Sequence, residues 1–432
     1  VAFIGIRRED KSRWEARVPL VPEDVRRLVA DTGVRLRIQA SPIRAFSDDA
    51  YRQAGAEIVQ DLGDCPVVMG VKEIPPERLQ PKRTYVYFSH TIKGQPANMP
   101  ALKRLMDLEC NLIDYERITD DQNRRLVFFG RFAGLAGMID TLWAFGQRLD
   151  TEGIQNPFSR IRPAHQYEDL SHAERELRAV ADAIRREGLP EPIRPLVCGF
   201  AGYGQVSQGA QQVFDWLPTQ EIAPSNLASV PPQPDVCYKV VFKEEDLVSR
   251  IDSSQPFDLQ EYYTRPERYQ AAFLPHAEHL TILVNCIYWE PKYPKLITRD
   301  QFRSLYGGAK PPRLRVIGDI TCDVDGSIEC TVRSTTPDAP VYVYDPAAGT
   351  TRDGVTGPGP VVLAVDFLPC ELPVDASRFF SESLRGFIPA LAEADLTKPL
   401  PDSGLPPELQ RATIVYQGVL TEPYQYLAEF VQ

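Results

Sequence analysis

Histidine is scarce in this sequence. There are five in 432 residues: His90, His165, His172, His276 and His279. A zinc centre draws on His and Cys at fixed spacings. Only His276 and His279 stand close together, and no acidic or cysteine pattern completes a tetrahedral set around them, so no metal is expected. The eight cysteines, Cys65, Cys110, Cys198, Cys237, Cys286, Cys322, Cys330 and Cys370, form no CxxC pair. In a chain this long they are expected as buried thiols of a reducing compartment. No apolar run reaches the roughly 20 residues that span a bilayer. The opening VAFIGIRRED places its charges after the apolar residues, the reverse of a secretory signal, so a cytoplasmic protein is expected. Positive charge is in the minority, with 48 Lys and Arg against 59 Asp and Glu, a net charge of -11. That balance disfavours nucleic acid and anionic membranes as partners. It leaves anionic small molecules open, because a local cluster of Arg and Lys can oppose the global sign. No interface stripe defines an oligomeric state.

What is present is a globular composition, 43% hydrophobic and 25% charged, at a length that implies two domains. The first 115 residues alternate short apolar runs with amphipathic stretches. VAFIGI, VRLRIQAS (34–41), CPVVMGVK (65–72), TYVYFSH (84–90) and NLIDYE (111–116) read as strands. Helices are expected from Pro22 to Ala30, over 46–55 with a stop at Gly55, and over MPALKRLMDLEC. Such alternation implies α/β architecture with a parallel sheet. Lys72, His90 and Glu116 each follow an apolar run, at the sheet edge where open α/β folds bind ligands. Residues 130–149 form a helix rich in Gly and Ala near its start, which implies close packing against a ligand, a domain junction or another helix.

A second domain opens with LVCGF (196–200), a buried strand, followed by Gly202, Tyr203, Gly204, Gln205, Val206 and Ser207 and then a helix to Leu217. Gly202 permits a tight turn, and Gly204 permits close approach of backbone to a pyrophosphate. The helix N-terminus then offers unpaired N–H groups to its charge. Ser207 replaces the third glycine with another small residue. This is a Rossmann-type dinucleotide site, and it makes a nicotinamide cofactor the expectation. Glu221 lies at the usual distance for the ribose-binding acid, whereas Ser225 and Asn226 suit a 2′-phosphate, so NAD and NADP both stay open. Asp319 follows the apolar run RVIG and is expected at the cleft edge or as a solvated strand cap. The tail from Ala376 to Gln432 reads as helices broken by a Pro-rich turn.

Hydride transfer needs placement of the nicotinamide and a proton donor or acceptor. His90 is the best general acid/base by intrinsic pKa, and Lys72 is a second. Arg17 and Arg125 suit substrate carboxylates, while Glu73, Glu116 and Asp319 suit an amine or tune Lys72 and His90. Cations beside acids fit a zwitterionic substrate such as an amino acid.

At these residues the sequence resembles the lysine–2-oxoglutarate reductase family, which includes the lysine-forming saccharopine dehydrogenases. The segments IRREDKSRWEARVPLVPEDV, VMGVKEIP, YFSHTIKGQ, FFGRFAGLAGMIDTL, GYGQVSQGAQQVFDWLP, LVNCIYWEPKYPKLITR and GDITCDVDGSIECT carry the likeness. It covers essentially the whole chain and is strongest to the reductase half of bifunctional aminoadipic semialdehyde synthase. More distantly the chain is similar to alanine dehydrogenase and transhydrogenase. The resemblance implies two Rossmann-like domains around a central cleft. The expected division is a substrate-side domain over 1–150, completed by 345–432, and a dinucleotide domain over 151–344. It also implies reductive condensation of lysine with 2-oxoglutarate to saccharopine. Lys72 and His90 would be the catalytic pair, and Arg17, Glu73, Glu116, Arg125 and Asp319 the substrate-binding residues. The cofactor implied is NADPH, with NADH possible, bound at Gly202–Ser207. Only this one reversible step is expected of the chain. Arg131, at a position that varies in the family, is a candidate for tuning substrate choice. The rival readings are an amino acid dehydrogenase of the alanine type and a dinucleotide-binding protein without catalysis.

Overall fold

The computed structural model describes residues 3–308 and 312–431. The chain divides into two compact units, Val1–Phe129 with Pro373–Gln432, and Gly130–Leu372. The divisions therefore fall at 129/130 and 372/373, not at 150/151 and 344/345 as expected from the sequence. The reason is local. The helix over 130–149 packs along the helix that follows the glycine turn, and strands between 345 and 372 complete the second unit's sheet.

In the first unit, strands β1 (Phe3–Ile6), β2 (Arg35–Gln39), β3 (Glu57–Val59), β4 (Val67–Met69), β5 (Thr84–Tyr87) and β6 (Asn111–Asp114) form one parallel array. Helices α1 (Pro22–Thr32), α2 (Asp48–Gln53) and α3 (Met99–Asp107) lie in the crossovers. β4, β5 and β6 are buried at every position, as strands covered on both faces must be. The order β3-β2-β1-β4-β5-β6 is doubly wound, so the strand order reverses between β1 and β4. The loops at the carboxyl ends of those two strands border the ligand crevice of such a sheet.

In the second unit, α4 (Gly130–Thr151) and α5 (Leu170–Glu187) precede β7 (Leu196–Ala201), α6 (Gln205–Phe214), β8 (Thr219–Glu221) and β9 (Cys237–Phe242). After the short helix α7 (Glu244–Leu247) come a hairpin of β10 (Val248–Arg250) and β11 (Tyr269–Ala271), then β12 (Ile282–Asn285), β13 (Val316–Asp319), β14 (Val341–Asp345), β15 (Thr350–Asp353) and β16 (Val361–Leu363). The eight-stranded sheet runs β15-β14-β16-β13-β12-β7-β9-β8, parallel from β8 through β16, with β14 and β15 antiparallel at one edge. Its reversal lies between β7 and β12. The small residues of α4 serve a helix–helix crossing. A Cβ at Gly134 would overlap the Val206 carbonyl, and one at Gly209 of α6 would overlap the Arg131 carbonyl.

The tail departs from the all-helical expectation. After the helix Pro373–Leu384, β17 (Thr413–Tyr416) and β18 (Val419–Leu420) form a hairpin that joins the first sheet antiparallel to β6. Gln417 and Gly418 both have positive φ, 49° and 81°, the backbone of a two-residue hairpin turn. The β-branched run TIV of β17 pairs with β6, and the short β18 takes the sheet edge. All eight cysteines are buried free thiols.

Candidate functional site

The first unit gathers its polar groups at the carboxyl ends of β1, β4, β5 and β6. Beyond β4 the chain still follows β5, with the Phe88 N–H donating to Val71 O at 3.1 Å. This sets Glu73, the residue after Lys72, beside His90. His90 Nδ1 lies 2.6 Å from Glu73 Oε1, and Lys11 Nζ lies 2.7 Å from Glu73 Oε2. Burial alone would push the Glu73 carboxyl up, but hydrogen bonds from His90 and Lys11 outweigh it and hold it down at about 2. Glu73 is therefore an acceptor for Nδ1–H, which leaves His90 Nε2 for proton exchange. His90 has φ 49°, left-handed for a residue with a Cβ, and Asn98 Nδ2 holds its carbonyl at 3.0 Å. Backbone strain of this kind gathers where a side chain must be aimed.

Glu9, which sequence reasoning passed over, fixes the other half. Its carboxylate accepts the backbone N–H groups of Val71 at 2.7 Å and Lys72 at 3.1 Å. It is buried beside Arg7, 3.6 Å away. Burial outweighs these partners and raises its carboxyl to about 7. Glu9 is thus a positioning residue for Lys72. Its only signal in the sequence was a charged stretch directly after a buried strand. Asp114 plays a similar part at the end of β6. Fully buried, and raised to about 6 by that burial, it accepts from the Ser89 hydroxyl and from the Glu116 N–H, so it ties the His90 loop to the Glu116 turn.

The two arginines differ. Arg17 is buried, and Glu15 takes its fork through Nε at 2.7 Å and Nη2 at 2.6 Å. Its guanidinium lies 4.3 Å from the Phe129 ring centroid, and Phe129, Phe380 and Phe88 form one aromatic cluster that reaches His90. Arg17 belongs to the same region, but its fork is already engaged rather than open. Arg125 is more exposed and meets Glu116 at 3.5 Å.

Asp319 corrects both readings made of it. It is 1% exposed, so it is neither a solvated cap nor a group on an open edge. It lies in the second unit, where it accepts from Asn285 Nδ2 at 2.8 Å, from the Thr321 hydroxyl at 2.9 Å and from the Thr331 hydroxyl. The carboxylate braces the ends of β12 and β13. Arg131 bonds Gln212 across α4 and α6, 2.6 Å apart.

The second unit's reversal point carries the glycine turn. Gly202 has φ 94° with Ile287 and Cys286 close by, so a side chain is excluded on both counts. A Cβ on Gly204 would meet nothing within 4 Å, which leaves open space over the first turn of α6. Ser207 is buried and faces inward, as the third fingerprint position requires. These features fit a dinucleotide: a cradle of small residues, backbone N–H groups at a helix start, and an adjoining cavity of about 410 Å³ lined by Gly202 to Val206 and by residues after β9 and β12. Glu221 is displaced from this site. The strand beside β7 is β9, not β8, and Glu221 pairs with Lys239 at 3.2 Å on the far edge.

Acid stability tests the His90 arrangement. Glu73 has its carboxyl lowered on folding, so its contribution to stability is complete above about pH 4.5 and is lost as pH falls through about 2. Thermal unfolding followed across that window should show Glu73→Gln losing less stability on acidification than the parent.

Comparison with known proteins gives concordant results. Residues 5–136 match the family model described as "Alanine dehydrogenase/PNT, N-terminal domain". The chain is 37% identical to alpha-aminoadipic semialdehyde synthase of Arabidopsis thaliana over 98% of its own length and 41% of the relative's. It is 36% identical to the Bos taurus protein named "Alpha-aminoadipic semialdehyde synthase, mitochondrial", over 99% of this chain and 47% of the relative. It thus spans less than half the length of these curated relatives. The compartment in the bovine name differs from the cytoplasmic expectation. A Schizosaccharomyces pombe protein named "Saccharopine dehydrogenase [NAD(+), L-lysine-forming]" is 28% identical over 90% of this chain and 93% of its own. Among solved structures, an L-alanine dehydrogenase superposes with TM-score 0.62 over 100% of both chains at 18% identity. A transhydrogenase from Sinorhizobium meliloti gives 0.56 over 97% of this chain and 100% of its own at 13% identity. The resemblance read from the sequence therefore stands, and the fold is the two-domain α/β fold of alanine dehydrogenase. No helix among the described residues is long and apolar enough to cross a membrane.

Proposed function

We propose that the chain is an oxidoreductase of lysine metabolism that condenses the ε-amine of lysine with 2-oxoglutarate and reduces the product to saccharopine. The observation that carries this reading is the His90–Glu73 pair, with Lys72 next to Glu73 in the chain and its backbone N–H clamped by Glu9. Likeness along nearly the whole chain to proteins named alpha-aminoadipic semialdehyde synthase and saccharopine dehydrogenase supports it.

The chemistry has two stages. Attack of the amine on the keto carbon forms a carbinolamine, and loss of water gives an imine. Addition of hydride to the imine carbon and a proton to nitrogen completes the secondary amine. The proton movements fall to His90 Nε2 and the Lys72 ammonium. Glu73 accepts from Nδ1–H and so orients the ring with Nε2 available for the proton. Arg125 is the cation best exposed to meet a substrate carboxylate. Arg17 would have to exchange Glu15 for one. The bound nicotinamide, when reduced, supplies the hydride, and Gly202 to Ser207 would hold its dinucleotide.

The test is a screen of nicotinamide oxidation by absorbance over amino acid and keto acid pairs, with both NADH and NADPH. Lysine with 2-oxoglutarate should be the fastest pair. Turnover of pyruvate with ammonia instead would favour an alanine-type dehydrogenase, and oxidation with no pair would favour a binding protein without catalysis.

Glu9→Gln gives a narrower expectation. An amide offers one oxygen where the carboxylate offered two, so one of the two N–H groups of Val71 and Lys72 loses its acceptor. Steady-state turnover should fall about tenfold, while dinucleotide affinity stays unchanged. Because burial raises the Glu9 carboxyl on folding, its stabilising contribution is full below about pH 4.5 and is lost as pH rises through about 7. Thermal unfolding of the variant should lack that decline.

A further inference from the structure

Resting on the dinucleotide reading of the glycine turn, we propose that Glu244 holds the adenosine ribose through its 2′- and 3′-hydroxyls and makes this chain selective for NADH over NADPH. This runs against the NADPH that the resemblance implies, and it replaces Glu221 as the ribose residue.

Strand order places Glu244 at the turn. β9 lies directly beside β7 in parallel register, with Ala201 opposite Phe242. Gly202 N–H donates to Phe242 O at 3.0 Å, so the turn and the end of β9 are stitched together. Glu244 follows two residues later. It therefore occupies the place where dinucleotide folds put the acid that binds ribose, at the carboxyl end of the strand next to the glycine turn. The sequence hid it because the short edge strand β8 and a Pro-rich stretch intervene, moving the acid well beyond the usual spacing of about 20 residues.

Glu244 lines the same space as Gly202, Tyr203 and Gly204. Its carboxylate is aimed there by two phenols. Tyr263 donates to Oε1 at 2.7 Å, and Tyr203 donates to Oε2 at 3.2 Å. A carboxylate only accepts hydrogen bonds, so it pairs with a vicinal diol and has nothing to offer a phosphate.

The local charge is negative. Lys243 is followed by Glu244, Glu245 and Asp246, one cation against three anions, a local charge of -2. The cation of the cavity wall is Lys295, and its ammonium is committed to Glu329 at 2.6 Å and to the Asp325 carbonyl at 3.0 Å. A 2′-phosphate, with a charge of about -1.5 to -2, would sit against this cluster. Repulsion and loss of the diol contacts act in the same direction.

Binding tests this without turnover. NADH and NADPH are titrated into the full chain, with nicotinamide fluorescence and calorimetry as readouts, for the parent, Glu244→Ala, Glu244→Gln and Tyr263→Phe. The parent should bind NADH at least about tenfold more tightly than NADPH. Glu244→Ala and Glu244→Gln should weaken NADH by about tenfold and leave NADPH unchanged or tighter, collapsing the ratio. Tyr263→Phe should move the ratio the same way by less. If the parent binds NADPH as well as NADH, or if Glu244→Ala weakens both equally, the assignment of Glu244 is overturned while the dinucleotide reading stands. If neither dinucleotide binds, both fall.

Discussion

Replacing Lys72 by Met and His90 by Gln should each lower turnover by about 10²- to 10⁴-fold while leaving dinucleotide affinity within about twofold of the parent. Met keeps the length and apolar stem of Lys72 but removes the ammonium. Gln keeps a polar group at position 90 but cannot accept and release a proton. Both residues lie in the first unit, whereas the glycine turn lies in the second, so binding and chemistry separate cleanly in this pair of variants. The double variant should cost little more than the worse single one, because the two groups serve the same proton transfers. Glu73→Gln should have a smaller effect than either, since the amide oxygen still accepts from Nδ1–H but the second oxygen that takes Lys11 is lost. Stopped-flow measurement of nicotinamide oxidation, beside fluorescence titration of the cofactor, reads both quantities. Turnover that survives in Lys72→Met/His90→Gln would remove these residues from the chemistry.

The second large effect is expected in the crossing of α4 and α6. Gly134→Val and Gly209→Val would each drive a branched side chain into backbone, at the Val206 carbonyl in one case and the Arg131 carbonyl in the other. Neither helix can yield without moving the first turn of α6, which carries the N–H groups offered to a pyrophosphate. We expect a loss of about 3 kcal/mol or more in stability, together with loss of dinucleotide binding. Gly204→Ala is the contrasting variant. Its Cβ meets no protein atom, so the melting temperature should stay near the parent value. Dinucleotide affinity should still fall, because the methyl group enters the space the pyrophosphate needs. Differential scanning calorimetry with cofactor titration distinguishes the two classes of glycine.

These contrasts also show what could be read in the sequence. The parallel strands were legible because each is a short apolar run closed by polar residues, and Lys72, His90 and Glu116 stood at their ends. The glycine turn was legible because strand, glycines and helix occur in one uninterrupted stretch. What escaped depended on pairing between distant segments. Asp319 has the sequence context of a strand-end ligand, yet an amide at the end of β12 and two hydroxyls of the segment after β13 enclose it. Glu221 has the right spacing, but β8 takes the edge and β9 the inner position, a choice made by packing. The hairpin β17–β18 was hidden because its turn, Gln417–Gly418, lacks the usual Asn or Asp before glycine. Glu9 was invisible as a functional group because its partners are backbone N–H groups 62 and 63 residues away.

The central claim is that one chain joins lysine to 2-oxoglutarate by hydride transfer. The most direct measurement follows the hydride itself. The protein is incubated with lysine, 2-oxoglutarate and a nicotinamide cofactor carrying deuterium at its transferable position, and the product is analysed by mass spectrometry and NMR. The account predicts saccharopine with one deuterium on the former keto carbon. Unlabelled saccharopine, or no condensation product, would contradict it.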